Sequence, residues 1–196
     1  ITPMPNISRV WGFRPVKHLS GATWNGQFQV MIADTNALNV GDIVKDTGTA
    51  DSTTGYKVVT RITAAGDTPV GVVVGRRPNF ANLNLVGGLK PAGDTGTNAI
   101  VYVCTDPTVV YEAQANAASA VADIGLNASP ALGSVNTTTG MSGMSVDMST
   151  KATTQALTLK LLEVSQAVDM DLTDSANWKL YVLLNQNSLA NNTAGN

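Results

Sequence analysis

Apolar residues recur along this chain in short runs, and their spacing sets the expected architecture. Several runs alternate apolar and polar side chains with the period of two that a half-buried strand requires. Residues 27–34 (QFQVMIAD) put Phe28, Val30 and Ile32 on one face, and residues 56–63 (YKVVTRIT) set Tyr56 and Val58 against Lys57 and Arg61. Near the other end, ALTLKLLEV places Leu157, Leu159 and Leu161 opposite Thr158 and Lys160, and WKLYVLLN groups Trp178, Leu180, Val182 and Leu184. Other runs are apolar without alternation. VGVVVG at 70–75 predicts a short buried strand, with Pro69 at its start, where no ladder N–H is missed, and Gly71 marking a bulge or a close backbone approach. NAIVYVCTD and TVVYEAQAN open a further β section after residue 97.

Between these runs the punctuation is that of turns. Asn25-Gly26, Gly41-Asp42 and Gly66-Asp67 are turn dipeptides, and TGTADSTTG (residues 47–55) is too polar for a core. Residues 79–97 read as an irregular, exposed connection and place a boundary at 97. AASAVADIG is the one helix candidate, ended by Gly125, and residues 127–154 predict a long Thr-, Gly- and Met-rich loop with a brief strand at 144–148. Residues 1–26 carry Pro3, Pro5 and Pro15 among large side chains and show neither period, so they predict an extended arm with little secondary structure. On that reading, deletion of residues 1–21 leaves a folded barrel. The expected fold is all-β: a barrel or β-tulip-like sandwich of short strands with long loops, an extended N-terminal arm and at most one short helix. The segments are 1–26 (arm), 27–97 (β-tulip-like section) and 98–196 (second β section with a polar C-terminal tail).

Composition narrows the function more than it names one. The 196 residues carry a formal charge of −2 and only 13% charged residues, about half the usual share, so no positive field holds a nucleic-acid backbone. No apolar run approaches the roughly 20 residues of a membrane-spanning helix, no basic-then-apolar leader opens the chain, and the reading is soluble and unsecreted. Ile1 stands where Met would begin a chain, and a few leading residues are expected to be missing.

Reactive chemistry has little to build on. Cys104 is the only cysteine and reads as a buried structural thiol; His18 is the only histidine and stands in the arm. No catalytic set, metal site or cofactor motif is assigned. Asp169, Asp171 and Asp174 have some of the spacing of a calcium loop but lack its central glycine and terminal glutamate, and read as a turn. Glu112 and Glu163, the only glutamates, are the one pair a hydrolase could use. The side chains suited to contact with a partner are Trp11, Phe13, Arg14 and Trp24 in the arm, and Arg76 and Arg77 after VGVVVG.

Several stretches carry a family likeness. WGFRPVKHLSGATWNGQ, VGDIVK with GDTPVGVVVG, ADIGLNAS, NTTTGMSGMSVDMST and LTLKLLEV resemble tailed-bacteriophage proteins that decorate or cement the capsid. The VGDIVK and GDTPVGVVVG half is similar to the small β-tulip fold of lambda-type head decoration proteins; residues from 98 onward match nothing there. The resemblance implies a homotrimer on the outer capsid surface of the virion, bound to the major capsid protein, with no nucleic acid, membrane or small-molecule substrate as partner. A carbohydrate-binding or tail-associated β module, using Trp11, Trp24 and Trp178, is the alternative.

Overall fold

The computed structural model describes residues 5–189. Its strands are β1 (Arg14–His18), β2 (Gln29–Ala33), β3 (Leu38–Asn39), β4 (Ile43–Ala50), β5 (Lys57–Arg61), β6 (Gly71–Arg76), β7 (Leu89–Lys90), β8 (Ile100–Cys104), β9 (Val109–Gln114), β10 (Asn127–Ala131), β11 (Ser145–Ala152), β12 (Leu159–Val164) and β13 (Lys179–Leu184). The protein is predominantly β, as the periodicity predicts. Five strands close a barrel in the order β2-β5-β4-β6-β8, in which only the β2–β5 pair is parallel. Six more form an antiparallel sheet, β1-β9-β13-β12-β10-β11. That sheet curls until β11 returns to the end of β9, where Ala115 bridges Val146 and the Asn116 N–H donates to Val146 O at 3.0 Å.

The unbroken apolar runs follow from this arrangement, because barrel and sheet share a wall. Along β4, β6 and β8, side chains alternate between two cores: Val44, Val73 and Val103 fill the barrel, whereas Ile43, Val72 and Cys104 pack into the sheet core beside Trp178 and Tyr111. Both faces are buried, so neither needs a polar residue. Gly71 sits where this wall is tightest: a Cβ there would lie 2.2 Å from Cys104 O, the close approach its position predicts. Cys104 is fully buried.

Elsewhere the structure departs from expectation. The N-terminal segment is not separate from the fold, because Arg14–His18 pairs with β9 and Phe13, 1% exposed, lies in the sheet core. Pro15 is accommodated at the sheet edge, where the register shifts between Pro15 and Lys17. The barrel extends past residue 97, because β8 pairs with both β2 and β6. Residues 127–154 hold two paired strands rather than one brief one, and the helix candidate is a single 3-10 turn, Val121–Asp123. Ile32 of β2 is buried as expected, but Phe28, just before the strand, is half exposed beside Tyr102, and Met31 on the opposite face is buried as well. The connection at 79–97 is not wholly exposed either: Leu89 and Lys90 are buried, and Lys90 Nζ donates to the backbone carbonyls of Asp34 and Asn36.

Candidate functional site: a cleft between barrel and sheet

Where the N-terminal segment crosses from sheet to barrel it leaves a cleft of about 330 Å³, lined mainly by apolar atoms. Four of the six residues expected to contact a partner meet there: Trp11, Phe13, Arg14 and Trp24. Gly12 makes the crossing. Its φ is +79°, and a Cβ would meet Gly41 O at 2.5 Å, so only glycine lets the Phe13 N–H reach Gly41 O at 2.9 Å. Trp24 arrives by a tight turn: the His18 N–H donates to Ala22 O and the Trp24 N–H to Val16 O, which folds residues 19–24 back along β1. Val40 and Gly41 form the barrel side with Val73 and Val74, and Met141, 41% exposed, is on the rim.

Met141 is brought in from a hundred residues away by a polar seam. Asp42, fully buried, accepts from Ser142 Oγ at 2.6 Å and from the Asn39 N–H at 2.7 Å, with Arg61 Nε 3.2 Å away. Burial pushes its carboxyl above the usual range, against the pull of Arg61 and these donors. Asn39 and Asn136 exchange bonds, Asn39 Nδ2 to Asn136 O at 3.0 Å and the Asn136 N–H to Asn39 Oδ1 at 2.8 Å. The Ser142 N–H then donates to Val40 O, and Arg61 Nη2 reaches the carbonyls of Leu132 and Gly133.

Charges gather beside the cleft, on the outer face of the sheet. Arg14, Glu112, Tyr181 and Glu163 stand in one row across β1, β9, β13 and β12. The two glutamates are thus brought to one face, two strand spacings or roughly 9–10 Å apart along the backbone. Both are engaged: Glu112 with Arg14 and with Ser165 Oγ at 3.1 Å, Glu163 with Lys17. Lys17 lies 5.0 Å from the Tyr181 ring, and Trp11 has Arg14 at 5.6 Å and Lys179 at 5.8 Å from its own. Trp178 is in the core, its indole N–H donating to Asp174 O.

The remaining expected residues fall elsewhere. Arg76 ends β6 and Arg77 follows it, both outside the cleft; Arg76 Nε donates to Gly87 O at 3.1 Å and Arg77 lies 5.9 Å from the Phe80 ring. His18 has a side chain only 15% exposed, with Nδ1 3.4 Å from both Asp106 Oδ2 and Thr108 Oγ1. The Asp169–Asp174 stretch (169–174) is a turn filled by Asn6. Asn6 Nδ2 donates to the carbonyls of Asp171, Asp174 and Ala176 at 2.9–3.1 Å, and its Oδ1 accepts the Asp171 N–H. Among the described residues no three His, Cys, Asp or Glu side chains are grouped to hold a metal ion. Sequence reasoning missed the exposed apolar side chains of Met141, Phe80 and Leu83; each is a large apolar residue in a polar, turn-rich stretch, which is the signal that could have found them.

No family model, no curated protein and no solved structure matches this chain.

Proposed function

We propose that this protein is a structural virion component that decorates the outer surface of a tailed-phage capsid as a homotrimer and cements it by binding major capsid protein subunits. Its product on this reading is contact area, with no bond-making step. The observation that carries it is the cleft: Trp11, Phe13, Arg14 and Trp24, from a segment that resembles capsid-decorating proteins, converge with Met141 in one mainly apolar hollow of about 330 Å³. A shell side chain seated there removes apolar surface from water on both partners, at about 25 cal/mol per Å². The backbone bonds of Gly41, Asn39 and Ser142 hold the walls in place beforehand, so little ordering is required on docking. Repetition over a symmetric shell then multiplies a modest contact.

Sedimentation of the purified protein with capsid shells that lack it tests this reading. The expected result is occupancy stoichiometric with the major capsid protein, sharply reduced by Met141→Glu, which puts a charge on the exposed rim without touching the core. Recovery of a few copies per particle, or none, would overturn it. Sugar binding is less well supported, because Trp178 is buried and Trp11 is flanked by two cations.

A further inference from the structure

Asn25-Gly26, a turn dipeptide by sequence, lies in the irregular link between Trp24 and β2, outside the residues that line the cleft. The link is anchored at both ends. The Trp24 N–H donates to Val16 O at 3.1 Å, and Gln29 pairs with Val103 at the start of β2. Between these anchors the dipeptide is open: Asn25 is exposed, and among the described residues neither its side-chain amide nor the Gly26 N–H has a hydrogen-bond partner. Gly26 has φ +85°, and a Cβ there would meet nothing within 4 Å, so the space on that side is empty.

An asparagine carboxamide is an electrophile for the main-chain nitrogen of the next residue, and only glycine presents that nitrogen without a Cβ in the way. Attack requires a free carboxamide, a free N–H after it and room to close a ring. Asn25 is the only asparagine of this chain that is followed by glycine. Others are followed by alanine or serine, but their surroundings hold them. Asn36, Asn116, Asn127 and Asn187 each donate through Nδ2, to Asp34, to Asp147, to Thr154 O and to Thr105 O respectively. Asn98 precedes Ala99, which is fully buried in the 3-10 turn Gly96–Ala99.

We propose that Asn25-Gly26 is a self-processing site, at which the chain deamidates itself and thereby shifts Trp24 in the cleft. The Gly26 nitrogen gives its proton to water and attacks Asn25 Cγ. The N–Cγ bond forms, the Cγ–Nδ2 bond breaks, and Nδ2 leaves as ammonia, which closes a cyclic imide. Water then adds to either imide carbonyl and opens the ring, to aspartate or to isoaspartate, in which the main chain runs through the former side chain. Water is the only co-reactant, and nothing is oxidised or reduced. Both products put a negative charge next to Trp24, and isoaspartate also lengthens the main chain by a methylene between the two anchors. Because β2 is paired to both β5 and β8, the added length is taken up on the Trp24 side. The chemistry is independent of the docking reading; its effect on partner binding rests on that reading.

The test is ageing of the full chain in warm, mildly alkaline buffer, followed by mass-spectrometric peptide mapping and by isoaspartyl methyltransferase labelling. Asn25 should convert ahead of every other described asparagine, at a rate within severalfold of the free peptide ATWNGQFQ (residues 22–29). Asn25→Gln should remove the label, Gly26→Ala should slow its appearance severalfold, and the Trp24 indole resonance should move on the time course of the label. Earlier conversion of another asparagine, a folded rate far below that of the peptide, or an unmoved Trp24 resonance would overturn the proposal. Capsid sedimentation separates it from decoration. Aged parent should occupy shells less than fresh parent, whereas Asn25→Gln should bind equally before and after ageing. Equal occupancy by fresh and aged parent, with both bound, would overturn the effect on docking and leave decoration standing. If neither binds shells while the label and the Trp24 shift develop, decoration fails and the self-processing site stands.

Discussion

Replacing Phe13 by alanine asks whether the N-terminal segment is part of the fold or an appendage to it. Phe13 is 1% exposed and belongs to the core cluster that holds Tyr111, Leu161 and Trp178. Truncating a phenylalanine in such a core costs about 3–5 kcal/mol, transfer and cavity terms together. Domains of ordinary stability have only about 5–15 kcal/mol in all, so about a fifth or more of the total is at stake. Ile7, six residues earlier and 51% exposed, provides the control: Ile7→Ala should stay within about 0.5 kcal/mol. Urea denaturation followed by tryptophan fluorescence reads both, since Trp24 packs on the same cluster and Trp178 lies within it. The midpoint should fall for Phe13→Ala with an unchanged slope. A loss below about 1 kcal/mol at unchanged slope would refute the reasoning and restore a separable arm. Deletion of residues 1–21 should be worse still, because it removes β1 as well and bares the edge of β9 to solvent and to other chains.

Three further outcomes follow from particular contacts. Gly71→Ala, often a mild stabilisation elsewhere, should here cost about 3 kcal/mol or more, because the clash is with the Cys104 backbone; thermal melting at or above the parent's midpoint would count against it. Asp67 tends upward by desolvation, but donors from Lys45, Thr63 and Ala64 outweigh this and hold its carboxyl below the usual 3.8. Its contribution is therefore present above pH 3.8 and lost as pH falls through the lower folded value, and Asp67→Asn should flatten that acid limb in a pH series of urea midpoints. Burial depresses Lys90 below 10.5 despite nearby Asp34 and Asp94, so the folded state binds that proton less tightly than the unfolded one. Its contribution is complete above pH 10.5 and declines as pH falls from there toward the folded value; the stability difference between parent and Lys90→Met should accordingly vary with pH across that interval, and a flat difference would contradict the assignment.

The strands the sequence reveals are those whose burial is local in origin. Trp178, Leu180 and Val182 share a face by period alone, and all three are at most 1% exposed. VGVVVG lacks alternation because both its faces are covered, and Gly71 is legible as a close approach although the group approaching it is not. β1, β10 and most of β11 are illegible for a different reason. They are rich in Pro, Ser, Asn, Asp, Ala and Lys, weak strand formers that pair because β9 offers an edge to β1, β12 to β10 and β10 in turn to β11. Pro130 is tolerated because the β12 pairing of β10 ends at Ala128, leaving that side of the strand free of ladder bonds. The aromatic members of the cleft can be picked out as large side chains in a segment without a period. Their convergence cannot, since it depends on Val40, Val74 and Met141 arriving from three other segments.

That convergence also explains why an apolar hollow of this size persists. Protein interiors pack to the density of organic crystals, and side chains around a void ordinarily relax into it. Around this cleft the walls are fixed by main-chain bonds and by one buried acid. The Gly41 carbonyl holds Phe13, Val40 O holds Ser142, and Asp42 ties Ser142 to Asn39 and Arg61, which in turn holds the carbonyls of Leu132 and Gly133. None of these contacts would improve if Trp11 or Met141 moved inward. Burial penalises the charged form of Asp42, so the seam is a costly way to join barrel and sheet compared with a few aliphatic side chains. What it supplies in return is a fixed distance between two walls, and a shape held ready before anything enters is what a contact surface requires.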